Sequence, residues 1–353
     1  MKPQTRFIPF LALAILALLL ALWAGLLRLG WSLPSFPNLA LAHGPLMISG
    51  FLGILIPLER AVAIHHKWMF AAPLASALGW VSLLFAPTFG MILMTIGSLI
   101  TFFILIVMVR REPAIHTITM AVGALTWLVG NFFWMSGFPI FQLVQWWMCF
   151  LILTIGGERL ELSRVLHPTP RQIRIFSLLA IALLTGTILS MVNANTGARL
   201  SGLAMLVLSL WFLKNDLAAR NIRHTIPLTR YIAYCLLSGF VWLGIGGALQ
   251  LIYGATLAGP LYDAVLHTIF VGFVMSMIFG HAPIIFPAIL GVPINFYPAF
   301  YSHLALLHLS LLLRVAADLT NQVELRKFGG LVNEIAILMF LGMTVYSVLR
   351  GKK

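Results

Sequence analysis

The chain has 353 residues, of which 61% are hydrophobic and 9% charged, and its mean hydropathy is +1.02. No soluble domain buries so much apolar surface, so the composition excludes a soluble protein and indicates a polytopic membrane protein. The net charge of +13 comes from Lys and Arg in short stretches between apolar runs, with no basic domain of the kind that binds nucleic acid.

Apolar runs of about twenty residues predict transmembrane helices. We expect an all-α polytopic membrane bundle of about twelve such helices, forming a single transmembrane domain over residues 1–353. The predicted spans lie near residues 8–29, 39–58, 68–86, 90–109, 115–135, 139–157, 173–192, 199–213, 230–252, 262–285, 299–316 and 332–349.

Three segments of the chain show weak internal similarity: GFLGILIPLERA at 50–61, CFLILTIGGERL at 149–160 and VGFVMSMIFGHA at 271–282. Three pseudo-repeated arcs of four helices would explain it. Chance similarity among apolar segments would explain it equally well. Both alternatives stay open at the level of sequence.

The charges of the loops predict the orientation. Lys and Arg are concentrated near both termini and after the second, fourth, sixth and eighth helices. The loops without Lys or Arg are 30–38, 87–89, 136–138 and 253–260. Because cytoplasmic loops are enriched in basic residues, both termini are expected in the cytoplasm of a bacterial cell, with the chain in the inner membrane. The uncharged loop 286–298 departs from this pattern.

Several histidines lie inside the most apolar stretches. These are His43 in the second helix, His267 and His281 in the tenth, and His303 and His308 in the eleventh. An ionisable side chain within a membrane needs a partner and is a functional-site hypothesis by default. Imidazole is also a common ligand of haem iron and of copper.

His43 and His267 each lie about five residues into helices that run in the same direction. A rise of 1.5 Å per residue predicts both rings ~8 Å below the outer boundary. Two imidazoles at matched depth are what a bis-histidine haem requires, and we expect His43 and His267 to be its ligands. Met47 shares the face of His43, and Arg314 or Arg28 is a candidate partner of the haem propionates. The alternative is that both histidines only form hydrogen bonds.

A looser inner set is a second candidate for metal binding. His281 lies ~21 Å further along the helix of His267, and His303 begins the next helix, with His116 at the same predicted side. The alternative is that these are well-satisfied core histidines. The carboxylate of Asp263, one turn before His267, is expected to accept the N–H of its ring. Arg314 and Asp318, four residues apart, are expected to pair across one helical turn.

The residues that carry the candidate ligands also resemble a known family. The segment A-H-G-P-L-M-x2-G-F at 42–51, the pattern His267, Gly272, Gly280 and His281, and the later His303 resemble the NnrS family. The resemblance implies a bacterial inner-membrane protein of about twelve helices that contains haem and copper and is tied to nitric oxide and nitrosative stress. Helix two lacks the second histidine and the glutamate of the family pattern, so haem b is the first cofactor expected and copper the second.

The expected function is therefore that of an integral membrane haem protein. It would act in the nitric oxide response or in intramembrane electron transfer, with nitric oxide or a quinol or other redox partner. The use of helices two and ten is similar to the low-spin haem site of the haem-copper oxidase fold. One alternative is a proton-coupled transporter with a relay of intramembrane His, Asp and Glu. Another is a membrane scaffold in which the histidines only pack helices.

Overall fold

The computed structural model describes residues 5–292 and 294–350. Over these residues the protein is helical and contains no β-strand, which confirms the all-α class. Twelve helices in this part of the chain are long and apolar enough to cross a membrane, as expected of a multi-pass membrane protein. They are α1 Thr5–Arg28, α2 Ala40–Ile64, α3 Lys67–Phe85, α4 Pro87–Arg111, α5 Ile115–Met135, α6 Ile140–Leu166, α7 Pro170–Leu189, α8 Ala194–Asn215, α9 Pro227–Tyr253, α10 Gly259–Leu290, α11 Phe300–Leu319 and α12 Val323–Arg350.

Several helices extend beyond the apolar runs that predicted them. The helix α12 begins at Val323 instead of near residue 332, α6 ends at Leu166 instead of near 157, and α10 begins at Gly259 instead of near 262. The added turns of α6 and α12 contain charged residues. Hydropathy identifies only the part of a helix that suits hydrocarbon, whereas the backbone hydrogen bonds that define the helix continue into water.

The chain divides into two compact units. One unit ends within α6 at Thr154 and also includes Ala288–Gly291, and the other comprises Ile155–Pro287 and the chain from Val292 onward. The sequence contains no polar linker at this division, because it falls within a continuous transmembrane helix. Each unit contains one of the two histidines that were predicted to be haem ligands.

Two helices change from α-helical to π-helical geometry within three residues of a candidate histidine. In α2 the segment Leu46–Leu52 is π-helical, and in α10 the segment Thr268–Met275 is π-helical. Extended π-helix is rare, and π-helical turns occur frequently at functional sites. In α2 the segment follows Pro45, whose missing N–H removes one i→i−4 bond and frees the helix to rewind.

A tryptophan packs against a glycine of each rewound helix. A Cβ added at Gly272 would lie 2.5 Å from Cγ and 2.6 Å from Cβ of Trp242 on α9. In the other unit, a Cβ at Gly53 would lie 2.8 Å from Cζ2 of Trp127 on α5. Small residues let helix backbones approach closely in membranes. Gly272 therefore brings an indole ring against the π-helical segment of α10, and Gly53 brings one against the residue that follows the π-helical segment of α2.

We expect Gly272→Ala to destabilise the protein by about 1–3 kcal/mol, the usual cost of forcing a methyl group into a packed site. The atoms that it meets belong to the root of the Trp242 side chain and cannot move without the backbone of α9. The measurement is thermal unfolding in detergent. Gly342→Ala on α12 is the matched control, because nothing lies within 4 Å of the added Cβ. Equal melting of Gly272→Ala and Gly342→Ala would contradict this packing.

Candidate functional site

The ring of His43 is held by the main chain of the preceding helix. Its Nδ1–H donates to the carbonyl oxygen of Ala21 on α1, at 2.7 Å. A carbonyl oxygen only accepts hydrogen bonds, so the proton of the neutral ring is on Nδ1 and the lone pair is on Nε2. His43 is half-buried and lies three residues before the π-helical segment.

The ring of His267 is held in the same way within its own helix. Its Nδ1–H donates to the carbonyl oxygen of Asp263 at 2.8 Å, and Nδ1 lies 3.2 Å from Oδ1 of the same residue. Asp263 is thus the partner of the ring, but the hydrogen bond is to its main-chain carbonyl oxygen and not, as expected, to its carboxylate. The lone pair of the neutral imidazole is again on Nε2. The π-helical segment begins at the next residue, Thr268.

The two histidines do not lie equally far from the starts of their helices. His43 follows Ala40, the first residue of α2, by three residues, or ~5 Å along the axis. His267 follows Gly259, the first residue of α10, by eight residues, or ~12 Å. Equal depth in the membrane stays a prediction, but the expected count of about five residues into each helix is wrong. One cause is that α10 begins at Gly259, three residues before the predicted start near 262, which an apolar run does not reveal.

Arg314 forms an ion pair with Asp263. Its Nε and Nη2 donate to the two carboxylate oxygens of Asp263, each at 2.8 Å, and Arg314 is only 6% exposed. The predicted pair of Arg314 with Asp318 is wrong, because the ion pair of Asp318 is with Arg326 Nη1, at 3.7 Å. A carboxylate on the neighbouring helix offers guanidinium the planar two-bond geometry. The contact of Arg314 with a haem propionate stays a prediction, as does the haem contact of half-buried Met47.

The inner histidines are bound in different ways. The Nδ1–H of His281 donates to the carbonyl oxygen of Met277 at 2.7 Å, so its lone pair is on Nε2. His303 is fully buried, with Nε2 2.9 Å from Oη of Tyr231 and Nδ1 3.2 Å from Sδ of Met343. Both ring nitrogens of His303 are therefore engaged by neighbouring side chains.

No group of three or more His, Cys, Asp or Glu is placed to hold a metal ion within the part of the chain that the structure describes. His116, at the start of α5, lies 3.7 Å from Glu112, one turn earlier. Haem differs from a free metal ion, because the macrocycle supplies most of the iron ligands and the protein only one or two. A haem site would therefore need only one or two of the histidines of this chain, and both haem and copper stay predictions.

A buried polar network beside α2 was not foreseen from the sequence. Ser49, within the π-helical segment, accepts a hydrogen bond from Trp127 Nε1 at 3.1 Å and donates to Asn131 Oδ1 at 3.4 Å. Trp147 Nε1 donates to the same oxygen at 3.0 Å. All four side chains are at most 1% exposed. The available signal was Asn131, an amide inside an apolar run, whose hydrogen bonds must be satisfied by protein.

The sequence model of one protein family matches nearly the whole chain. The family is described as a domain of unknown function (DUF8744), and the match covers residues 6–349. No curated protein matches the chain.

Proposed function

We propose that this chain, which belongs to the DUF8744 family of unknown function, is an integral membrane protein. We propose further that it binds a b-type haem through His43 and His267. One observation carries the proposal. Both rings have their Nδ1–H donated to a main-chain carbonyl oxygen, and both are followed closely by a long π-helical segment.

The chemistry of these two side chains fits haem. An axial ligand needs a lone pair on a ring nitrogen, and the hydrogen bonds place it on Nε2 in both residues. Histidines that bind metals commonly donate their other N–H to a carbonyl or carboxylate, which fixes the orientation of the ring. Ala21 serves His43 in this way, and Asp263 serves His267. When bound, the haem would supply a one-electron redox centre.

Electron transfer is the activity that we propose first. Two histidine ligands leave no open position for a gas, which favours electron transfer over gas binding. Nitric oxide would bind only if it displaced His43 or His267 from the iron. The distribution of Lys and Arg supports a bacterial inner membrane with both termini in the cytoplasm.

A proton-coupled transporter is the second candidate, supported by Asp318. This residue is 1% exposed, and its carboxylate interacts with that of Asp263 and lies 3.7 Å from Arg326 Nη1. Buried intramembrane carboxylates are typical of proton relays. Asp263 and Arg314 supply further charge in the same unit.

The spectrum of the purified protein tests the proposal. The chain is produced in cells supplied with haem and purified in detergent, and its haem is extracted and counted. We expect about one b-type haem per chain, with Soret and α bands that sharpen on reduction with dithionite. A monodisperse, folded and colourless protein would overturn the proposal. Proton-driven uptake by such a colourless protein would establish the second candidate.

A further inference from the structure

A groove of about 530 Å³ lies between α9 and α11, within the second unit. Arg230 and Tyr301 line it near the first residues of the two helices, and His308 lines it eight residues into α11, ~12 Å along the axis. Tyr234 and Ser238 of α9 complete its polar lining, and the rest is apolar. None of these residues takes part in the proposed haem site.

His308 lines this groove and has a hydrogen-bond donor that no described residue uses. Trp242 Nε1 donates to His308 Nδ1 at 2.9 Å. An indole N–H only donates, so Nδ1 carries the lone pair and Nε2 carries the proton of the neutral ring. That Nε2 is buried and has no hydrogen-bond partner among the described residues. His308 therefore has the opposite tautomer to His43 and His267 and presents a donor, not a metal ligand.

The aromatic rings and the exposure of the groove indicate where a ligand would enter. Tyr234 is 42% exposed although it lies within α9, so this side of the groove faces lipid. The rings of Tyr234 and Tyr301 meet edge to face, with centroids 5.9 Å apart. A ligand would therefore arrive sideways from the bilayer and pass two aromatic rings before it reaches His308.

The position of the donor selects the chemistry of the ligand. A buried donor requires an acceptor oxygen, and this one lies well inside a transmembrane helix. Phospholipids carry their oxygens at the membrane surface, and their acyl chains contain no acceptor. A membrane quinone combines a flat ring, carbonyl oxygens on opposite sides of the ring and a hydrocarbon tail.

We propose that the groove between α9 and α11 binds a membrane quinone. One carbonyl oxygen accepts the Nε2–H of His308, the ring lies along Tyr234 and Tyr301, and the guanidinium of Arg230 is the donor nearest the second carbonyl oxygen. As a site for the redox partner, the groove rests on the proposed electron transfer. As a quinone-binding site, the groove depends on the contacts of His308 and does not require a haem.

Binding of a benzoquinone with a ten-carbon tail tests the proposal. The full chain is placed in nanodiscs of phosphatidylcholine, and binding is measured by equilibrium dialysis against the same tail carried by a plain benzene ring. We expect saturable binding of the quinone only. His308→Phe should weaken it about tenfold, the value of one good hydrogen bond. His308→Gln should restore it, because the amide accepts from Trp242 and still donates to the ligand.

Ser302→Ala is the control outside the groove and should bind the quinone normally, because Ser302 does not line the groove and its hydroxyl donates to the carbonyl oxygen of Ala299 at 2.6 Å. Equal affinity in His308→Phe and the unaltered chain would overturn the proposal. So would saturation by phosphatidylglycerol, lost in Arg230→Gln, with no saturation by the quinone. Quinone binding by a colourless protein would leave this site intact while the proposed haem function fails.

Discussion

Replacing His43 or His267 by Ala is expected to abolish the low-spin b-type haem spectrum of the purified protein. Each side chain would supply an axial ligand from Nε2, and neither Ala nor a neighbouring backbone group replaces an imidazole in that role. A low-spin bis-histidine haem held by one remaining ligand would be lost in purification or become high-spin. Visible absorption and extracted haem per chain measure the result.

His224→Ala is the matched control for these variants. Its Nδ1 accepts the N–H of Ile226 at 3.1 Å, so its tautomer is the opposite one, and it lies outside the twelve spans. Its spectrum should equal that of the unaltered chain. Added imidazole should restore the bands in His43→Ala and His267→Ala if these variants fold. Unchanged bands in either one would exclude that residue as a ligand.

Removing Arg314 is expected to cost about 3–5 kcal/mol of the free energy of unfolding, the usual effect of breaking a buried ion pair. Arg314→Ala leaves the Asp263 carboxylate without the two N–H donors that lie 2.8 Å from its oxygens. The loss should appear as a lower unfolding temperature in detergent. Retained stability in Arg314→Ala would show that the pair contributes little.

The double variant Arg314→Met with Asp263→Leu separates the ion pair from the histidine. Apolar side chains of similar volume often replace a buried ion pair at little cost, so most of the lost stability should return. The carbonyl oxygen of residue 263 is still present and should still accept the Nδ1–H of His267. We therefore expect the double variant to keep its haem. A folded double variant without haem would mean that the carboxylate or the guanidinium is itself needed for binding.

Much of the architecture could be predicted from the sequence. Runs of about twenty apolar residues predicted the twelve helices because hydrocarbon forces the backbone to satisfy its own hydrogen bonds. The contact of Asp263 with His267 was also predictable, since residues four apart on a helix are neighbours. These are local properties, and a sequence displays local properties directly.

The bounds of α10 and α12 and the partner of Arg314 were not predictable in this way. Helix ends that extend into water carry no hydropathy signal. The choice of Asp263 over Asp318 depends on which helix packs beside α11, and an uninterrupted apolar sequence says little about which helices become neighbours.

By itself, the sequence determined the class of protein, the number of spans and the histidines that merit attention. Only the tertiary structure decided which ring nitrogen of each histidine carries the proton and which carries the lone pair. Its contacts place the lone pair of His43 and His267 on Nε2, engage both nitrogens of His303, and leave a donor on His308. The physical reason is that the tautomer of an imidazole is set by the atom opposite each nitrogen. For His43, His303 and His308 that atom belongs to another helix.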